Sequence, residues 1–286
     1  LKCENGLFTS DTFVIDHTVP VFEVSYETDA VNVIKDGILL EEKVPLSDST
    51  AYYNNDIKVK FTIEEKCVHK KDELWEHLEF ELWKLTKDGK CLVSDEEPLM
   101  LETNEKNSRY EAYVTIAADM INHSTDGNYQ FLLRYRDCAG NAMIGRNQET
   151  VKEGVYQSSV FVLDTTAPEI VTGYLSEIPK VDNDRNYFST HTVFQINVSD
   201  RNIRCGDLLK ELKDIQAKDY YGNPVQTNIV NDLKLQYKEH EIIQALGEDR
   251  AKMCVNIALT VDANYEIPVD FVDLAGNRAV IVAKES

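Results

Sequence analysis

Long apolar runs are missing from this chain, and so are the residue patterns on which most catalysis is built. No stretch approaches the roughly 20 apolar residues that a membrane-spanning helix needs. No basic segment followed by an apolar one marks a secretion signal. The six histidines, His17, His69, His77, His123, His191 and His240, are scattered, with no His-Glu-x-x-His or His-x-His spacing to set two rings on one metal. His69 and His77 lie close to Cys67, but at no zinc-ligand spacing. Neither a Gly-x-Ser-x-Gly elbow nor a phosphate-cradling glycine loop occurs. Catalysis within this chain is therefore not expected.

Positive charge is also short. Thirty Lys and Arg stand against fifty Asp and Glu, a net charge of −20, and such a surface repels phosphate backbones. Nucleic acid is excluded as a partner, and insertion into a membrane is not expected. Six cysteines in 286 residues are too few for a disulfide-built scaffold. Cys67 with Cys138 and Cys205 with Cys254 are geometrically allowed pairs, whereas Cys3 and Cys91 have no obvious partner. The alternative, six free thiols, stays open at this level.

What the chain does have is internal repetition. Asn128-Tyr129, five residues, then Tyr135-Arg136-Asp137-Cys138-Ala139-Gly140-Asn141 is matched 136 positions later by Asn264-Tyr265, five residues, then Phe271-Val272-Asp273-Leu274-Ala275-Gly276-Asn277. A second pair, Val14 to Pro20 and Val162 to Pro168, recurs at an offset of 148. The chain reads as two copies of one module with unequal loops. Residues 17–164 and 165–286 form the two units, and residues 1–16 read as the last strand of a preceding one.

Strand patterns dominate both units. Ile57 to Ile63 and Val193 to Val198 alternate apolar with polar residues and are rich in β-branched side chains. Tyr113 to Ile116 matches Cys254 to Ile257, and Tyr129 to Tyr135 matches Tyr265 to Phe271. Asp88-Gly89 and Gly222-Asn223 are turn dipeptides. Lys70 to Leu78 and Gly206 to Ile215 instead have helical composition and spacing. Each unit is thus expected to be a Greek-key β-sandwich of about seven strands with one short helical insertion. The three or four residues before Pro20 and Pro168 are too few for a loose linker.

The repeated polar residues have backbone roles. A tyrosine entering a strand after a tight corner, Tyr129 or Tyr265, buries its ring and returns its hydroxyl to the main chain. Asp137 and Asp273 accept amides around a turn, Gly140 and Gly276 supply positive φ, and Asn141 and Asn277 tolerate left-handed geometry. RDCAGN and VDLAGN, with VLDTTAPEI at the seam, resemble bacterial immunoglobulin-like repeats of large cell-surface proteins. In that family Asp-x-Ala-Gly-Asn closes a unit and Asp-Thr-Thr-Ala-Pro opens the next. The resemblance covers the whole chain, departing at His17, Val19 and Cys138. It implies an all-β fold of tandem immunoglobulin-like sandwiches and an extracellular, cell-surface or cell-wall setting. It also implies a stalk or adhesive role, or company with a secreted glycan-active enzyme, with neighbouring repeats as partners.

Two binding chemistries follow from residue type. Calcium needs six to eight converging oxygens, and the seam offers Asp164 with Glu169, while Asp182-Asn183-Asp184 forms a separate acidic loop. No EF-hand spacing accompanies them, so no cofactor is expected and these acids read as solvated. For a glycan or a host protein, the candidate ligand surface is Trp75 with Tyr52 and Tyr53, since exposed rings stack on sugar faces. The competing reading makes Trp83 a core residue and packs Trp75 onto it.

Overall fold

The computed structural model describes residues 2–4, 7–9, 13–65, 77–94, 100–104, 109–146, 151–175, 179–183, 185–245 and 250–282. The chain is mostly β and sandwich-like, as expected. In the first unit one sheet runs in the order Met100–Asn104, Arg109–Ile116, Ile57–Glu64, Val21–Tyr26, Ile144–Gly145. The facing sheet is centred on Gly127–Tyr135, flanked by Leu78–Thr86 and by Val160–Leu163, and continues through Thr50–Tyr53 to Asn32–Lys35.

The alternation read from Ile57 to Ile63 explains the core. Ile57, Val59, Phe61 and Ile63 point inward and meet Phe80, Leu82, Phe131 and Leu133 of the facing sheet. Phe61 and Phe131 meet edge to face at 5.7 Å. Fully burying each such side chain stabilises the unit by roughly 1.5–3 kcal/mol. Trp83 is not a core residue. Its strand, Leu78–Thr86, shifts register against Gly89–Ser94 between Leu82 and Trp83, and the indole is half-buried, donating from Nε1 to Glu81 Oε2 at 2.9 Å.

The second unit builds one sheet in the order Ala251–Leu259, Thr192–Asp200, Glu169–Tyr174, Val280–Ile281. Both units close alike: Ile144 N donates to Pro20 O and Val280 N to Pro168 O, each beginning a short parallel pairing. The opposite layer differs. Among the described residues, short strand pairs stand outside this sheet, Asn202–Arg204 with Ile242–Gln244, Gln216–Lys218 with Asn264–Glu266 and Lys180–Asp182 with Arg185–Tyr187. Helices supply the remaining cover. Cys205–Glu211, continued by a 3₁₀ turn at Leu212–Asp214, confirms the helix expected over 206–215. A second helix, Ile229–Gln236, corrects the expectation of a single insertion; it buries Ile229 and Leu233, four apart on one face. The strand expected from Tyr265 to Phe271 stops at Glu266.

Residues 13–16 carry no strand, and Phe13, Val14 and Ile15 are exposed; the strands before them, Lys2–Glu4 and Leu7–Thr9, pair with each other. Cys205 and Cys254 are free thiols, so that bridge is not formed. The helix expected from Lys70 and the Cys67–Cys138 pair fall on residues outside those described, except that Leu78 opens a strand and Cys138 is exposed.

Candidate functional site

The two units meet at the segment Asp164-Thr165-Thr166-Ala167-Pro168, which is held along its length. Asp126 accepts Thr165 N at 3.0 Å, Thr165 Oγ1 at 2.8 Å and Thr166 Oγ1 at 2.6 Å. Asn277 Nδ2 donates to Asp164 O at 2.8 Å. Beside this segment Asn32 Nδ2 donates to Leu274 O and Gln244 Nε2 to Tyr52 Oη. Ile34, Tyr52, Val162, Leu274 and Ala275 pack into one apolar cluster that spans both units.

The turn motif is built as its residues suggest, with one correction. Asp137 Oδ1 accepts Ala139 N and Asn141 N, and Gly140 takes φ +87°. Asp273 Oδ1 accepts Asn277 N, and Gly276 takes φ +89°. Asn141 and Asn277 are not left-handed. Their side-chain amides bond the turn's own aspartate and reach the seam backbone, at Asp16 O and Thr18 O for Asn141 and at Asp164 O for Asn277. Tyr129 Oη donates to Thr125 O and Tyr265 Oη to Val261 O, each four residues upstream. The turn expected at Gly222-Asn223 is a third copy of the same structure: Asp219-Tyr220-Tyr221-Gly222-Asn223 repeats the side-chain bonds and a glycine at φ +86°.

At the seam this turn meets two more carboxylates. Asp164, Asp200 and Asp273 bring one oxygen each to within 4.8 Å of one another, and all three residues are buried. Asp16, Glu65 and Asp137 form the same arrangement at the start of the first unit. The register explains the correspondence. Val21 faces Glu64 and Glu169 faces Ser199, so Glu65 and Asp200 leave equivalent strands at the same point. Asp16 and Asp164 also match, each accepting the amide two residues on, from Thr18 and Thr166.

Such crowding is costly when ionised. Two unit charges 4.8 Å apart repel by about 3 kcal/mol at an effective dielectric near 20. Burial, reinforced by the neighbouring carboxylates Asp200, Asp273 and Asp126, holds the Asp164 carboxyl well above the usual range. Burial pushes Asp273 up to about 7, with Asp200 adding to it, and pushes Asp200 up to about 6 against its bonds to the Asn202 and Arg201 amides. Asp219, in the exposed copy of the turn, is lowered by the Asn223 side chain and amide. The hydrogen bonds are shared, so burial among carboxylates makes the difference.

The other expected site residues fall elsewhere. Tyr52 and Tyr53 are 1% and 0% exposed, so neither ring is offered to a ligand; Tyr52 belongs to the seam cluster. Trp75 lies outside the described residues. Glu169 is not part of the seam cluster and pairs with Arg250 at 3.0 Å. Asp182 is exposed and joins no acidic cluster among the described residues. An open cleft in the second unit is lined by Tyr187, Phe188, Tyr220 and Tyr265 together with Arg185 and Asp262. No family model matches this chain, and no curated protein does.

Proposed function

We propose that the chain is a pair of immunoglobulin-like Greek-key sandwiches without catalytic activity, acting as a stalk, spacer or adhesive segment of a bacterial cell-surface protein. One observation carries this reading: the junction is a built interface rather than a loose tether. Backbone, side-chain amides and an apolar cluster from both units hold the seam segment, and a spacer needs such a junction to keep its units at a fixed angle. The matching turns, corners and closing strands support a repeated module. Small-angle scattering tests the reading. An elongated particle with two lobes in line is expected, and a compact globule would overturn it.

A second reading, a glycan-binding module or an accessory domain of a secreted glycan-active enzyme, is favoured by the open cleft. Tyr220, which lines it, is 90% exposed, and exposed rings suit stacking on sugar faces. Retardation on polysaccharide affinity gels, abolished by Tyr220→Ala, is the expected outcome for that reading. Unchanged mobility on every gel removes it.

A further inference from the structure

We propose that Asp164, Asp200 and Asp273 form a calcium site at the seam, and that Asp16, Glu65 and Asp137 form its counterpart at the start of the first unit.

The acidic cluster alone would not carry this. The second observation is unmet hydrogen-bonding capacity beside it. Asp200 Oδ2 accepts the Asn202 amide at 3.1 Å, while Oδ1 of the same carboxylate has no partner although the residue is 1% exposed. Asn202 is equally buried, and neither the oxygen nor the nitrogen of its side-chain amide has a partner. Buried polar atoms are almost always satisfied, so the lone oxygen of Asp200, a member of the triad, marks a missing donor or cation. The site also occurs twice, from residues that match by register.

The donors identify the ion. They are all oxygens, which suits hard cations and excludes metals that prefer thiolate or imidazole. Three carboxylates bring one converging oxygen each, and bidentate binding or bound water would complete the six to eight that calcium takes. Magnesium dehydrates reluctantly and keeps several waters, a poor match for a closed pocket of carboxylates. Arg201 lowers the proton affinity of Asp164 and, with Arg250, that of Asp200, but Arg250 is already paired with Glu169 and two guanidiniums do not balance three buried carboxylates. A divalent ion would.

The ligands also have a geometric meaning. Asp164 comes from the seam, Asp200 from a strand end and Asp273 from the closing turn, so the ion would tie the seam segment to two elements of the following unit. This inference is independent of the spacer reading: scattering tests shape, whereas the following experiment tests binding.

The experiment is titration calorimetry at pH 7.5 on chelator-stripped chain, with calcium chloride and magnesium chloride in separate runs, alongside thermal melting. Two calcium-binding events are expected, with magnesium at least tenfold weaker. Asp200→Asn should remove one event and Glu65→Gln the other. Asp219→Asn, in the exposed turn, should remove neither. In chelator, Asp200→Asn should melt above the parent because a repulsive charge is gone, while losing the calcium-induced rise of the second unit. Asp273→Asn gives the same readout should Asp200→Asn not fold. No calcium heat, equal magnesium affinity, or full calcium binding in the Asp200 and Asp273 variants would each overturn the assignment.

Discussion

Asp219 and Asp273 cap the same five-residue turn with matching bonds, yet one faces water and the other faces two carboxylates. The turn was legible in the sequence because its chemistry is local: an aspartate, a glycine at positive φ and an asparagine, all within five residues. The carboxylate partners were not. Asp200 and Glu65 arrive through strand register, and nothing near them in sequence distinguishes them from other strand-end acids. The glycines make a prediction at this scale. A Cβ on Gly276 would meet Val31 Cγ1 at 2.9 Å, whereas one on Gly140 meets nothing within 4 Å. Both positions are left-handed, which costs a non-glycine residue about 1–2 kcal/mol. Gly276→Ala should therefore lower the urea midpoint more than Gly140→Ala, by chemical denaturation of each variant.

The acid triad predicts a pH dependence in calcium-free buffer. Folded-state values raised above the unfolded range of about 4 mean that the native state holds more protons than the unfolded one. That contribution is fully present below about pH 4 and is lost as pH rises through the folded values, about 6 for Asp200 and about 7 for Asp273. In chelator the melting temperature of the second unit should fall between pH 5 and pH 8, and Asp200→Asn should flatten the slope. A melting temperature that rises across this window would contradict it.

At the scale of elements, strands with strict alternation were readable because their burial follows period two; Ile57 to Ile63 needed no more than its own pattern. The second unit's outer layer was not, because matching it to the first suggested strands where helices stand. The signal was present in Ile229 and Leu233, one helical turn apart and both buried. Leu233→Ala should cost about 2–5 kcal/mol by the usual penalty for emptying a buried leucine site. Hydrogen exchange should then rise along Ala251–Leu259, against which this helix packs. Unaltered protection there would mean that the helix is not part of the unit's cooperative core.

Across the whole molecule, the apolar cluster at the seam makes its own prediction. Leu274 is buried between units and its carbonyl accepts the Asn32 amide. Leu274→Ala should leave each unit's secondary structure intact by circular dichroism yet broaden the inter-unit distance distribution measured between spin labels. An unchanged distribution would show that the polar contacts alone hold the seam.

The parallel strand pairings have a mechanical consequence. In the first unit Val160–Leu163 runs beside Thr50–Tyr53 over four matched residues, and Ile144–Gly145 runs beside Val21–Phe22 over two. In the second unit only Glu169–Ile170 beside Val280–Ile281 pairs this way among the described residues. Tension applied along parallel neighbours shears their hydrogen bonds together instead of unzipping them one by one. More bonds share the load in the first unit than in the second. Stretched from its ends in an optical trap, the chain should yield in two steps, with the second unit giving way at the lower force.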